Sequence, residues 1–334
     1  MASFVTGVYS YKRNKRLKTT YNQISVFTSN MNTFYLYSAT FLQICVLNIA
    51  VTKFKNMTTT EKQRVWLITG ASKGMGLQLT NLLLSLGHKV IATSRNKAIL
   101  EKGIIGTKEN LFALETDITS DQDVKKAIGV AVAHFGRIDV VVNNAGYSLV
   151  GSMEEMSDEE FRATMDVNLF GTVNIIRHVM PHLRKQGSGH IINISSNAGY
   201  VGFANAASYN AAKFGVIGLT EALAQEVKPF GIKVTVVLPG QFRTKFMNSI
   251  QYVKNRVDVY GIDEAEETWS KFSGKQQGDP NKLVKILIDI TKIEQPPLHL
   301  LLGPDTYELV LKKRQQEDAE FEQWKDITLS TDFD

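Results

Sequence analysis

Val65-Trp66-Leu67-Ile68-Thr69-Gly70-Ala71-Ser72-Lys73-Gly74-Met75-Gly76 is a short apolar run that ends in a glycine-rich turn. Met75, Leu79, Leu82, Leu83 and Leu86 then recur at helical spacing. Strand, turn and helix in that order predict a βα unit. Gly70, Gly74 and Gly76 would permit a tight turn and a close approach of backbone to a dinucleotide. The first N–H groups of the helix, at the positive end of its dipole, would then face a pyrophosphate. Ser72, Lys73 and Met75 share the turn and count among the candidate cofactor contacts.

Working outward, further apolar segments fall at 89–93, 111–116, 138–142, 189–195, 232–238 and 298–302, with helical segments between them. Such alternation predicts an α/β fold in which a parallel sheet carries helices on both faces. No repeat of solenoid period and no low-complexity tract interrupts it.

Tyr209 and Lys213 lie four residues apart in Ser208-Tyr209-Asn210-Ala211-Ala212-Lys213, and Ser196 lies thirteen residues before the tyrosine. On a helix, positions i and i+4 share a face with Cβ atoms about 6 Å apart. A phenol with a pKa near 10 costs about 4 kcal/mol to ionise at neutral pH. One positive charge about 4 Å away at an effective dielectric near 20 returns roughly that much. The spacing therefore predicts a proton-transfer site in which the ammonium lowers the phenol's pKa.

Thr-Gly-x-x-x-Gly-x-Gly at 69–76, Asn143-Asn144-Ala145-Gly146, Asn168 within Asp166-Val167-Asn168, Ser196, Tyr209 with Lys213, and Pro239-Gly240 occur in one order. In that order the chain resembles the short-chain dehydrogenase/reductase family, by motif over about residues 61–245, with a hydroxysteroid- and retinol-dehydrogenase-like flavour. The resemblance implies a Rossmann-type doubly wound parallel sheet in a single domain, 61–334, with a C-terminal substrate lid. It also implies a catalytic set of Asn168, Ser196, Tyr209 and Lys213. Ser196 would hydrogen-bond the substrate oxygen, Tyr209 would exchange the proton, and Lys213 would bind the nicotinamide ribose. Asn168 would hold a water joining Lys213 to solvent. Ser195 competes with Ser196, but the thirteen-residue interval to Tyr209 matches the family at Ser196, and alternate residues of a strand face opposite sides.

The resemblance further implies that Asp117 and Ile118 contact the adenine and that Asn143, Ala145 and Gly146 shape the cofactor cleft. Pro239, Gly240, Phe242 and Thr244 would turn across the nicotinamide, and Tyr209 and Lys213 would touch the cofactor as well. Cofactor choice follows from charge. The second strand ends at Ser94-Arg95, where an NAD-selective fold commonly carries an acid on the ribose hydroxyls. Arg95, assisted by Lys73, could instead bind a 2′-phosphate, which favours NADP(H) while leaving NAD(H) open.

Residues 1–60 contain seven basic residues and no acidic one, leaving a net −2 out of the chain's +5 for the remainder. The basic balance thus belongs to the extension and does not imply a nucleic-acid partner. Three readings of 1–60 stay open. Met57 is the true start; or residues 34–51, interrupted by Gln43 and Asn48, are a weak membrane anchor; or the segment is an organelle transit sequence. The expected location is cytoplasmic, or membrane-anchored or organellar if the extension is genuine.

Cys45 is the only cysteine, so the region after it has no disulfide and no thiolate metal centre. His178 and His182 have i,i+4 spacing, but Pro181 interrupts the segment and no third ligand stands near, so no metal is expected.

Residues 245–278 place Phe246, Met247, Tyr252, Tyr260, Trp269 and Phe272 among polar residues, a composition suited to a lid over an apolar alcohol or carbonyl. Asp279-Pro280 signals a helix that Gln295-Pro296-Pro297 would end. The sequence thus describes an NADP(H)-dependent oxidoreductase acting on a small, mostly apolar molecule, with a homo-oligomer expected from the resemblance. Two alternatives are a non-catalytic NADP-binding regulator and a membrane-tethered interaction protein. The first has no need of Ser196, Tyr209 and Lys213 together, and the second rests on the extension alone.

Overall fold

The computed structural model describes residues 62–333, so the three readings of residues 1–60 lie outside the described residues. Nine strands occur in these residues: β1 (Val65–Ile68), β2 (Lys89–Ser94), β3 (Leu111–Glu115), β4 (Val140–Asn143), β5 (Leu149–Val150), β6 (Gly189–Ile194), β7 (Ile232–Pro239), β8 (Gln251–Tyr252) and β9 (His299–Leu302). Seven form one sheet in the order β3-β2-β1-β4-β6-β7-β9, and every pairing in it is parallel. The chain leaves β1 towards β2 and β3, then returns to β4 on the other side. A crevice therefore opens between the carboxyl ends of β1 and β4, where such folds place their ligands.

The alternation within strands explains the two layers. Trp66, Ile68, Val90, Ala92, Val140 and Val142 face one core, while Val65, Leu67, Ile91 and Val141 face the other. Helices α1 (Gly74–Ser85) and α8 (Pro280–Asp289) cover the first with Leu79, Leu83, Leu283 and Leu287. Helix α2 (Lys97–Gly103) adds Leu100 to that layer. On the second face lie α3 (Asp121–Phe135), α5 (Gly171–Gln186) and α6 (Ala207–Val227), supplying Val124, Ile128, Ile175, Val179, Leu183, Leu223 and Val227. Each such aliphatic side chain, when fully buried, contributes about 1.5–3 kcal/mol. Helix α4 (Asp158–Met165) precedes α5 and starts at a reciprocal cap between Ser157 and Glu160. The remaining helices are α7 (Ile262–Phe272), α9 (Pro304–Gln323) and α10 (Lys325–Leu329).

The seven expected strands all form, with bounds shifted by no more than two residues. Two helical details differ. Helix α5 continues through Pro181 instead of breaking there. Burial of Ile175, Ile176, Val179 and Leu183 outweighs the roughly 3 kcal/mol that an interior proline costs. His178 Nε2 pairs with Asp121 Oδ1 at 2.8 Å, while His182 is exposed. The helix begun by Asp279 and Pro280 ends at Asp289, before Pro296, with one 3-10 turn over Ile290–Lys292. No helix among the described residues is long and apolar enough to cross a membrane.

Candidate active site

The glycine turn joins β1 to α1 at the mouth of the crevice. Gly70 has φ +64°, and a Cβ there would meet Ala145 Cα at 2.8 Å. At Gly76 a Cβ would fall 2.6 Å from both Gly70 O and Asn144 Nδ2. Both positions therefore need glycine, the first for its backbone as well as its contact. Thr69 and Asn144 tie the turn to the β4 loop. The Thr69 hydroxyl accepts from the N–H groups of Asn144 and Ala145 at 3.0 and 3.1 Å. In return the Asn144 amide donates to Thr69 O at 2.8 Å and Gly70 O at 3.2 Å.

Asn144 belongs to the Asn143-Asn144-Ala145-Gly146 motif but was not among the sequence candidates. Its neighbour Asn143 points the other way. Buried at the end of β4, Asn143 donates to Asn193 Oδ1 at 2.8 Å, and Asn193 donates to Thr220 Oγ1 at 2.9 Å. The alternation of a strand sends adjacent side chains to opposite faces, so only one asparagine can face the crevice. Gly146 follows at the crevice wall, where a Cβ would lie 3.5 Å from Lys213 Nζ.

The proton-transfer group assembles from the end of β6 and the first turns of α6. Ser195 is fully committed inside, donating to Lys213 O at 2.9 Å. Ser196 faces the opposite side, donates to Asn197 Oδ1 at 3.1 Å and accepts from Ala198 N at 3.1 Å, with the Tyr209 phenol beside it. The alternation of the strand thus sends the two serines to opposite sides. Lys213 is 4% exposed; its ammonium donates to Ile194 O at 2.9 Å and stands 5.6 Å from the Tyr209 ring centroid.

The electrostatics correct one expectation. Burial pushes the Tyr209 pKa up to about 12, against which the Ser196 hydrogen bond acts in the lowering direction. Burial also brings Lys213 down to about 8. The phenol is thus not lowered below its usual value in this structure, because loss of water dominates over any help from the more distant ammonium. At neutral pH Tyr209 is held as an acid.

Asn168 lies on a π-helical turn, Asp166–Phe170, and is 0% exposed. Its amide donates to Tyr147 O at 3.0 Å and Thr164 O at 2.9 Å and accepts from Tyr147 N at 3.2 Å. The side chain thereby fixes the loop after β4.

At the outer edge of the crevice Arg95 is exposed just past β2. Lys73 does not join it; its ammonium donates to Ser249 Oγ in the lid at 2.8 Å. Asp117 is exposed and turns its carboxylate onto Thr119 N and Oγ1 at 3.0 and 2.8 Å, while Ile118 is buried and accepts at its carbonyl from Asn174. Ser72 and Met75 are half-buried in the turn itself.

Beyond β7, Pro239 and Gly240 lead into a turn fixed by Asp305 at the start of α9, whose carboxylate accepts from Gln241 N at 2.8 Å. Asp305 had no signal in the sequence, being some sixty residues away in the chain. Phe242 bridges to Gly278, and Thr244 Oγ1 accepts from Phe246 N at 3.2 Å. The Phe246 ring then comes to 6.2 Å from that of Tyr209, centroid to centroid.

Residues 245–278 fold as β8, short 3-10 turns and α7. β8 pairs in parallel with β5, Leu149 opposite Gln251 and Val150 opposite Tyr252. Two carboxylates, one just before α4 and one in its first turn, hold the next stretch of backbone: Glu155 accepts from Val257 N at 2.8 Å and Glu160 from Lys254 N at 3.0 Å. Among the described residues no group of three or more His, Cys, Asp or Glu could hold a metal ion.

The family model for short chain dehydrogenases matches residues 64–294. The chain belongs to the short-chain dehydrogenase/reductase family and is an NAD(P)-dependent oxidoreductase. It is 37% identical over 272 residues to the oxidoreductase BOA17 of Botryotinia fuckeliana, covering 80% of this chain and 99% of that one. A 3-ketodihydrosphingosine reductase of Bacteroides thetaiotaomicron is 35% identical over 261 residues, covering 75% and 92%. Among solved structures, a short-chain dehydrogenase from Streptomyces avermitilis superposes with TM-score 0.74 at 32% identity, covering 81% of this chain and 100% of that chain. ElxO with NADP bound gives TM-score 0.62 at 29% identity, covering 72% and 96%. A 3-ketoacyl-(acyl-carrier-protein) reductase from Brucella melitensis complexed with NADH gives 0.61 at 27%, covering 73% and 97%.

Proposed function

We propose that the protein is an NADP(H)-preferring reductase that converts a carbonyl on a mostly apolar molecule to an alcohol. The observation that carries this reading is the grouping of half-buried Ser196 with buried Tyr209 and Lys213 beside the β1/β4 crevice, with its phenol protonated at neutral pH. The residues present fit a dinucleotide: Gly70 and Gly76 let the turn close tightly on the β4 loop, Gly74 leaves open space at the start of α1, and Arg95 is an exposed cation at the end of β2. Gly70, Ser72, Gly74, Met75, Gly76, Ala145 and Gly146 would hold the pyrophosphate and cleft side, with Pro239, Gly240, Phe242 and Thr244 around the nicotinamide. When bound, the nicotinamide supplies the hydride.

The protein's own residues then manage charge on the substrate oxygen. The Ser196 hydroxyl donates a hydrogen bond to the carbonyl oxygen, and Tyr209 Oη gives it a proton as negative charge develops. The phenolate that results lies near the Lys213 ammonium, whose Nζ stands 5.6 Å from the ring centroid and whose charge favours it. Phe246 supplies an apolar wall next to the reacting oxygen. The reductive direction and a keto substrate are also what the names of two of the similar proteins specify. Steroid, retinoid and lipid-derived carbonyls are the substrate classes to test.

A panel of ketones and aldehydes assayed with NADPH and with NADH, in parallel with Tyr209→Phe, tests this. Turnover with NADPH that disappears in the variant supports the reading; NADPH binding without turnover of any carbonyl overturns it. Arg95→Glu is expected to weaken NADPH use about tenfold or more while leaving NADH use little changed, the scale of one lost charge-assisted contact. Equal effects on both cofactors would remove the phosphate assignment.

A further inference from the structure

Helix α9 is held to the body along only one side and over only part of its length. Thr306 and Val310 are buried, and Lys313 lies over the Tyr200 and Phe214 rings. From Asp318 onwards every described residue is exposed. The last turns of α9, and α10 after it, therefore run beyond the packed core.

The free side carries a regular stripe. Tyr307, Leu311, Arg314, Asp318 and Phe321 are all exposed and follow one another at intervals of four, three, four and three residues. That spacing returns to one face of a helix and is the spacing of a coiled-coil seam. Lys325 continues it by four at the start of α10. Read forwards the stripe is aromatic, aliphatic, basic, acidic, aromatic, basic. Against its own reverse it pairs Tyr307 with Lys325, Leu311 with Phe321, and Arg314 with Asp318. Every pairing is favourable: a ring under an ammonium, two apolar side chains, and an ion pair. Neither Arg314 nor Asp318 makes an ion pair within the chain among the described residues. Just outside the stripe Lys312 comes opposite Glu320 in the same register. Glu320, Phe321, Trp324, Lys325, Thr328 and Leu329 line a surface hollow at the end that would receive the mate's Tyr307.

We propose that α9 is a self-association helix that pairs antiparallel with α9 of a second copy of this chain, about a two-fold axis near Gln316. A parallel mate would put Arg314 on Arg314 and Asp318 on Asp318, so the charge order selects the antiparallel arrangement. In a two-fold contact each pair occurs twice, which doubles both the gain from the matched charges and the penalty for mismatching them.

The test uses the full chain in a Cys45→Ser background, with Leu311→Cys and Phe321→Cys introduced together. The two positions are ten residues apart on one helix, about 15 Å along its axis, so they cannot bridge within a chain. Mild oxidation is expected to give a covalent dimer on a non-reducing gel. Arg314→Asp in that background is expected to lower the yield at least fivefold, and so is Asp318→Arg alone. Arg314→Asp combined with Asp318→Arg restores the ion pair with its sense reversed and is expected to restore the cross-link. Absence of the covalent dimer, or a double variant no better than either single one, overturns the proposal. That holds even if sedimentation shows the chain to be oligomeric, because association would then use another face. Thermal unfolding confirms that the variants are folded.

Discussion

The corner built from Ser196, Tyr209 and Lys213 and the lid at residues 245–278 lie within a ring contact of each other but are made differently. In the corner the serine and lysine polar groups have partners on strand-end or helix backbone, and the rings and chains are buried. The lid leaves Phe246, Tyr260 and Trp269 more than a third exposed, and its links to the body include a two-residue ladder, two carboxylates, the Phe242 to Gly278 bridge and the Lys73 to Ser249 hydrogen bond. Under the proposed function, chemistry falls to the corner and selection to the lid. A proton donor needs fixed geometry, whereas a lid must move to admit its substrate.

The sharpest way to break that comparison is Tyr209→Phe. It removes one oxygen and keeps the ring, so turnover is expected to fall by roughly 10³-fold with little loss of thermal stability, the scale of a lost general acid. Stopped-flow or steady-state rates beside a melting curve check it; a fall of less than tenfold would move the acid elsewhere.

Next in size is the response to pH. The Lys213 pKa lies at about 8 in the fold, against the ordinary 10.5, and Tyr209 at about 12. The reductive rate should therefore hold through neutrality and decline as pH rises through about 8, approaching tenfold per unit above it as the ammonium is lost. Stability has the opposite sign. Between about 8 and 10.5 the unfolded chain retains a proton at this lysine that the folded chain has released, so this group makes folding more favourable as pH rises. A rate that drops while the melting temperature does not separates titration of the site from unfolding.

Smaller effects are expected in the lid. Glu155 is buried and, although burial raises its pKa, the N–H groups of Val257 and Ser152 bring the carboxyl below its ordinary value. Glu155→Ala leaves those donors unpaired at a cost on the order of 1–3 kcal/mol. Cleavage within residues 245–278 under limited proteolysis should quicken at least tenfold, with KM rising more than kcat falls. Ser249→Ala removes a single exposed partner of Lys73 and is expected to change KM two- to threefold. If Ser249→Ala instead lowered kcat as far as Tyr209→Phe, the division between the two regions would not stand.

The seven strands of the main sheet were legible because each is a short apolar run closed by polar or glycine residues, and buried parallel strands need nothing more elaborate. The two-residue strands β5 and β8 were not, since two residues carry no periodicity and their pairing joins segments about a hundred residues apart. The catalytic candidates were legible for a similar reason. Tyr209 and Lys213 share a helical face by spacing alone, and Ser195 and Ser196 are told apart by the pleat. Asn144 and Asp305 act through partners distant in sequence, on Gly70 and Gln241 respectively, and carry no local mark.

Spacing and residue type by themselves determined a doubly wound α/β chain and singled out a serine, a tyrosine and a lysine as candidates for moving a proton, because periodicity and hydrogen-bonding capacity are properties of the chain before it folds. Only the tertiary structure decided that the phenol is held protonated, that Lys73 turns to the lid and away from Arg95, and that α9 ends free of the core. Solvent exclusion and the meeting of distant segments set those outcomes, and neither exists until the sheet and its two helical layers have closed.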